Sequence, residues 1–138
     1  MNIKKGFTLM ELLVVIGIIA ILVALGTVSY STAQKKSRDS KRKSDLKTIQ
    51  NALEQYYAIC GSVYPTPGAS KTVPTSISCS SPSSVILSNT PLEPLKSLSY
   101  TMDSTGDGVD YTICVPNQAS GRPFEAETTA TYCLSNSQ

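Results

Sequence analysis

Residues 12–28, Leu-Leu-Val-Val-Ile-Gly-Ile-Ile-Ala-Ile-Leu-Val-Ala-Leu-Gly-Thr-Val, carry no charge. As one α-helix the run is roughly 26 Å long at 1.5 Å per residue, close to the thickness of a bilayer's hydrocarbon. Its surface must therefore meet lipid or other apolar protein. A carboxylate, Glu11, stands at its head. A charge at the centre of a span costs on the order of 2.5–3.5 kcal/mol, and less near an end. Ionisable groups in such places are usually paired or functional.

What precedes the run narrows its meaning. Lys4-Lys5-Gly6-Phe7-Thr8-Leu9-Met10-Glu11 is a short basic leader, a glycine and an aromatic residue. A secretory signal has an apolar core of about 7–15 residues followed by a small-residue cleavage site. Here the core is longer, and Ala24 and Gly26 lie inside it. A plain anchor fits the length but gives no reason for Glu11 or for Gly6-Phe7.

These residues resemble the prepilin signature of type IV pilins and type II secretion pseudopilins, closely from Lys4 to about Tyr30 and more loosely to Pro65. The resemblance implies cleavage after Gly6 by a prepilin peptidase, N-methylation of Phe7, and an assembly role for Glu11. A second stretch, Tyr56-Tyr57-Ala58-Ile59-Cys60-Gly61-Ser62-Val63-Tyr64-Pro65, is similar to the major pseudopilin and related pilins. Many family members carry a helix-kinking proline in the N-terminal helix, and this sequence has none there. Any local extension would begin at Gly17 or Gly26, since each glycine costs about 1 kcal/mol relative to alanine in a helix.

Cleavage would place a new α-amine at Phe7. In a filament core, that amine on one copy can neutralise Glu11 of the next. At about 4 Å and an effective dielectric of 20 the attraction is on the order of 4 kcal/mol before desolvation is subtracted. The apolar stripe then supplies affinity and the charge pair supplies register.

Charge is distributed unevenly. Lys35, Lys36, Arg38, Lys41, Arg42, Lys43 and Lys47 follow the apolar run, offset by Asp39 and Asp45. Beyond residue 47, three bases face seven acids, a net of −4. This basic neck reads first as a solvated helix face that meets lipid head groups, and second as a stripe for DNA or another anionic surface. Taken alone, the positive-inside rule would keep the neck cytoplasmic. The resemblance places the C-terminal domain outside.

Residues 31–58 contain no proline or glycine, and Leu46, Ile49, Leu53 and Tyr56/Tyr57 recur at helical spacing. One helix over 7–58 is predicted, roughly 78 Å long, with Gly61 as its C-cap. After Pro65, propensity predicts a solvated Ser/Thr-rich loop over 70–88 with a short strand or helix near 85–87. Strands are expected at 97–102, 110–115 and 128–134, with a turn at 103–108. The expected fold class is α+β, a long N-terminal α-helix packed on a small antiparallel β-sheet head, pilin-like. Its parts are a leader (1–6), a membrane-spanning and filament-core helix (7–30), an amphipathic continuation (31–59) and a globular head (60–138).

Cys60, Cys79, Cys114 and Cys133 allow three pairings. Without histidine or a CxxC pair, zinc is a poor reading, and disulfides suit an exported head. The predicted positions favour 60–79 and 114–133. Asp103, Asp107 and Asp110 are the candidate calcium ligands, although their spacing departs from the EF-hand pattern and a hairpin turn explains them as well. Otherwise no cofactor is expected. No catalytic constellation stands out, because Lys71 and Lys96, the bases a serine nucleophile would need, sit in loop-like sequence.

The sequence therefore implies a non-enzymatic subunit. It would wait in the cytoplasmic membrane as a precursor and polymerise with copies of itself into an extracellular type IV pilus. Its partners would be the prepilin peptidase and the pilus assembly platform, and its displayed surface would serve attachment, motility or DNA uptake, on DNA or a host surface. The alternatives are a type II secretion pseudopilin and a monomeric membrane-anchored binding module.

Overall fold

The structure, a computed structural model, describes residues 6–104, 108–117, 123–129 and 131–136, with Val28 described by its backbone alone. Helix α1 runs Leu9–Ile59, 51 residues, within two residues of the predicted ends. It stops at Gly61, whose φ of 88° is left-handed backbone that favours glycine. The Ser62 N–H donates back to the Tyr57 carbonyl (3.1 Å), and the Cys60 N–H to that of Tyr56 (2.7 Å). A bond from two residues past the cap to the helix's last full turn is the mark of a Schellman ending.

The chain divides into two compact units, Met1–Lys35 and Lys36–Gln138. In the first, every described side chain from Gly6 onward is exposed, including all the large apolar residues from Phe7 to Leu25.

The second unit holds the core. Its described residues form five strands: β1 (Ile77–Ser80), β2 (Ser83–Leu87), β3 (Thr101–Ser104), β4 (Tyr111–Cys114) and β5 (Cys133–Ser135). Strands β1 and β2 form an antiparallel hairpin, and β3-β4-β5 form an antiparallel sheet in that order. Met102, Ile113 and Leu134 stand opposite one another across the sheet. In β4, Tyr111 and Ile113 point inward and Thr112 outward, the two-residue period of a half-buried strand. These side chains meet Leu46, Ile49, Ala52 and Leu53 of α1, with Tyr64, Val73, Ile77, Tyr100, Val115 and Phe124. The predicted helical stripe is thus the helix's share of the core, with Tyr56 and Tyr57 half-buried at its edge. The architecture is α+β and pilin-like, one long helix packed on small antiparallel sheets.

Three expectations need correction. The stretch 70–88 is not simply a solvated loop, because β1 buries Ile77 and Cys79 alternately with exposed serines. Two apolar residues are too few to stand out among the hydroxyls. Strand β3 lies at Thr101–Ser104 rather than 97–102, since 93–98 is closed into a turn by Glu93. Strand β5 begins at Cys133 rather than 128, and just before it the Tyr132 carbonyl accepts the Val115 N–H at 3.0 Å.

The structure joins Cys60 to Cys79 and Cys114 to Cys133. Cys114 and Cys133 are direct partners in the β4–β5 register, 4.1 Å apart at Cα. Cys60 follows the last turn of α1 and Cys79 lies in β1, so that bond ties the helix end to the hairpin.

Candidate functional site

The head of α1 is built by two residues. Thr8 precedes the first helical residue, and its hydroxyl accepts the Glu11 N–H at 3.2 Å. Glu11 Oε2 accepts the Thr8 N–H at 2.9 Å and the Thr8 hydroxyl at 2.9 Å. This reciprocal pair is a capping box, in which each side chain satisfies a backbone donor the helix cannot. It corrects the argument that an anchor leaves Glu11 unexplained, because the cap accounts for it locally. The sequence signal for it is the spacing Thr8-x-x-Glu11, which the charge argument alone overlooks.

The cap does not account for Gly6 or Phe7. A Cβ at Gly6 would meet nothing within 4 Å, and the backbone there is not left-handed. The fold therefore makes no demand for glycine at that position. Phe7 is 85% exposed. Gly17 and Gly26 are equally unhindered, with open space where a methyl group would stand. Glycine at 6, 17 and 26 is not needed for packing within this chain.

Further along the helix, the neck departs from a solvated basic face. Arg42 is fully buried. Its Nη1 donates to Asp39 (2.5 Å), its Nε to Glu93 (2.9 Å) and its Nη2 to Glu93 and to Glu125 (3.0 Å). Arg38 forks onto Glu125 through Nε (2.8 Å) and Nη2 (2.6 Å). Asp39 in turn accepts the backbone N–H groups of Glu125 and Ala126 (3.0 and 2.8 Å). The Arg38 fork, opposed by partial burial and helped by Arg42, holds the Glu125 carboxyl well below its ordinary 4.5, at about 2. Lys43 reaches Glu127 at 2.6 Å and lies 5.0 Å from the Phe124 ring centre.

The physical reason is register. Positions 38, 42, 46, 49 and 53 recur at three and four residues, so both arginines share the stripe of the apolar core. One neck base, Arg42, is therefore buried inside the head, Arg38 is half-buried against it, and Lys43 is paired at its surface. Lys35, Lys36, Lys41 and Lys47 remain exposed, Lys41 beside Asp45 (3.3 Å) and Lys47 on Gln50 (2.7 Å).

The same helical face continues with acids that hold phenols. Asp45 accepts the Tyr100 hydroxyl (2.9 Å), while Glu54 accepts those of Tyr64 (3.0 Å) and Tyr111 (2.8 Å). Burial first, and these carboxylates second, push all three hydroxyls above their ordinary 10.

An open groove of about 700 Å³ lies along β3 and β4, with Lys71, Asp103, Asp110 and Tyr111 in its lining. Asp103 is paired with Lys71 (3.1 Å), and Asp110 accepts the Asn136 amide (3.0 Å). The third candidate calcium ligand, Asp107, falls outside the described residues. Among the described residues, no group of three acidic, cysteine or histidine side chains converges as a metal site would require.

Comparison with known proteins bears on the N-terminal site. Residues 1–27 match the family model for the prokaryotic N-terminal methylation motif. A type IV major pilin protein, PilA of Myxococcus xanthus (strain DK1622), is 35% identical over 55 residues, which is 40% of this chain and 25% of that protein. The chain thus spans a quarter of the length of the curated relative it matches. No solved structure matches. The motif and the relative together support the type IV pilin family for this chain. That family is one of structural proteins, in keeping with a pilin-like subunit. Among the described residues of this chain, one helix, α1, is long and apolar enough to cross a membrane, which fits a membrane-anchored precursor.

Proposed function

We propose that this protein is a structural subunit of a type IV pilus, cleaved after Gly6, methylated at Phe7 and polymerised through the apolar half of α1. The observation that carries the reading is the bare apolar surface from Phe7 to Leu25, headed by a glycine the fold does not need. A surface of that kind requires an outside partner. Lipid serves in the precursor, and neighbouring helices serve in the fibre. Polymerisation is heterologous, since a filament must not close on itself.

In the precursor, Thr8 holds Glu11 through Oε2. After cleavage, the new amine of a neighbouring copy meets the same carboxylate, and the charge pair sets the axial register. The protein would pass from the cytoplasmic membrane to the cell exterior, through the prepilin peptidase and the assembly platform.

Mass spectrometry of the N-terminal peptide from material sheared off cells tests this. A chain starting at methylated Phe7 in the sheared fraction is expected. An intact Met1 start confined to membranes would overturn the reading and leave an anchored module. Processed chain without surface fibres, with secretion lost on deletion, would replace the pilus by a secretion pseudopilus.

A further inference from the structure

The turn over residues 91–98, Pro-Leu-Glu-Pro-Leu-Lys-Ser-Leu, is inverted relative to ordinary packing. Its acid is buried, and its leucines face out. Glu93 is 1% exposed, whereas Leu92, Leu95 and Leu98 are 48%, 51% and 41% exposed. The Glu93 carboxylate accepts the N–H groups of Leu95 (3.0 Å) and Lys96 (2.7 Å) while it binds Arg42. The Glu93 N–H donates to the Leu98 carbonyl, and the Ser97 N–H to the Glu93 carbonyl, both at 2.9 Å. Ser97, at a φ of 53°, closes the turn in left-handed backbone. Every polar group used in this turn fixes its shape, so the three leucines are presented on a rigid platform.

Loops that face water usually turn polar residues outward. Here the apolar side chains are outward because the one acid is committed to Arg42. Arg42 stands in the second turn of the helix after Lys36, where the second unit begins. The platform is therefore anchored near the start of the second unit's own stretch of helix. Lys96 is exposed within the patch, and Lys36 and Lys41 are exposed along the helix at that end. Leucines interleaved with lysines suit the boundary between acyl chains and anionic head groups. A symmetric contact with a second copy would oppose Lys96 to Lys96.

We propose that the 91–98 turn is a lipid-docking foot: Leu92, Leu95 and Leu98 enter the interfacial layer of the membrane that holds the precursor, with Lys96 meeting anionic head groups. The foot rests on the anchored-precursor reading and adds to it a second, shallow point of attachment. It steadies the head against the membrane before extraction, and it must be released when the subunit joins a fibre.

The chain has no tryptophan, which makes a clean test. The full-length precursor carrying Leu95→Trp is reconstituted in vesicles of equal parts phosphatidylethanolamine and phosphatidylglycerol, with bromine on the acyl chains near the head groups. The control is Val85→Trp, at a position 68% exposed on β2. Both replacements are at solvated positions, so both variants are expected to fold. Quenching about twofold or more stronger at position 95 than at 85 is expected, and Lys96→Glu in the Leu95→Trp background should reduce it. Equal quenching at the two positions in a chain that floats with the vesicles overturns the foot and leaves the anchor intact. A chain that does not float with them overturns both. A position-95 signal that follows protein density rather than bromination would assign the patch to a second copy and also overturn the proposal.

Discussion

The two halves of α1 share one backbone geometry and solve opposite problems. From Leu9 to Lys35 the helix carries apolar side chains with no cover in the chain and one acid, which it satisfies by itself through Thr8. From Arg38 to Glu54 it buries charge, and every buried charge is met by another element of the head. The contrast teaches where each half takes its stability from. The first half is stable only in a medium supplied from outside, lipid or like helices. The second is held by long-range pairs that form only when the head folds.

Substitutions can break that contrast, and the largest effect is expected at Arg42. Arg42→Ala leaves Glu93 and Asp39 buried without their cation, and such losses cost about 3–5 kcal/mol. Thermal melting of the detergent-solubilised protein should show it as a drop on the order of 10 °C or more. An unchanged melt would mean that the head does not depend on the network.

Acid acts on the same region. Glu125 has its carboxyl depressed to about 2, so its stabilising share is complete above pH 4.5 and lost as pH falls towards 2. After allowance for solvent screening that share is about 1–2 kcal/mol. The urea midpoint difference between wild type and Glu125→Gln should shrink between pH 5 and pH 2.5. A constant difference would place the acid sensitivity elsewhere.

Smaller still is Tyr111→Phe, which removes one of the two phenols on Glu54 and leaves the Tyr64 bond in place. A loss of about 1–2 kcal/mol is expected from chemical denaturation, as for a hydrogen bond to a charged acceptor. The smallest effect on the head is expected from Glu11→Ala. It removes half of the helix's cap, worth about 1 kcal/mol of local helix stability, and leaves the head's melting point where it was. Fibre yield from cells should nevertheless collapse. Normal fibres from that variant would deny Glu11 any part in assembly.

Much of the helix is legible in the sequence because its signals are local. Continuous apolar residues, the lack of proline, and Gly61 at the end place its bounds within two residues. The fate of the neck is not legible, because Glu93 and Glu125 lie 51 and 83 positions from Arg42. No local pattern announces a partner at that range. One clue does exist, in that Arg38 and Arg42 continue the three-and-four spacing of Leu46, Ile49 and Leu53. The β1–β2 hairpin is hidden for another reason. Its alternation rests on Ile77 and Cys79 alone, set among serines that read as loop. At the N-terminus, the capping box is legible but overshadowed by the larger question of a charge beside lipid.

The order of attachments along the helix has a mechanical consequence. Tension entering the head from its N-terminal end first meets the guanidinium clasps of Arg38 and Arg42, then the apolar core, then the Glu54 phenols, and last the Cys60–Cys79 bond. Salt-linked clasps re-form when load is removed, and a covalent bond does not. The head thus takes strain first where yielding is reversible, and keeps its irreversible fastening at the far end of the load path.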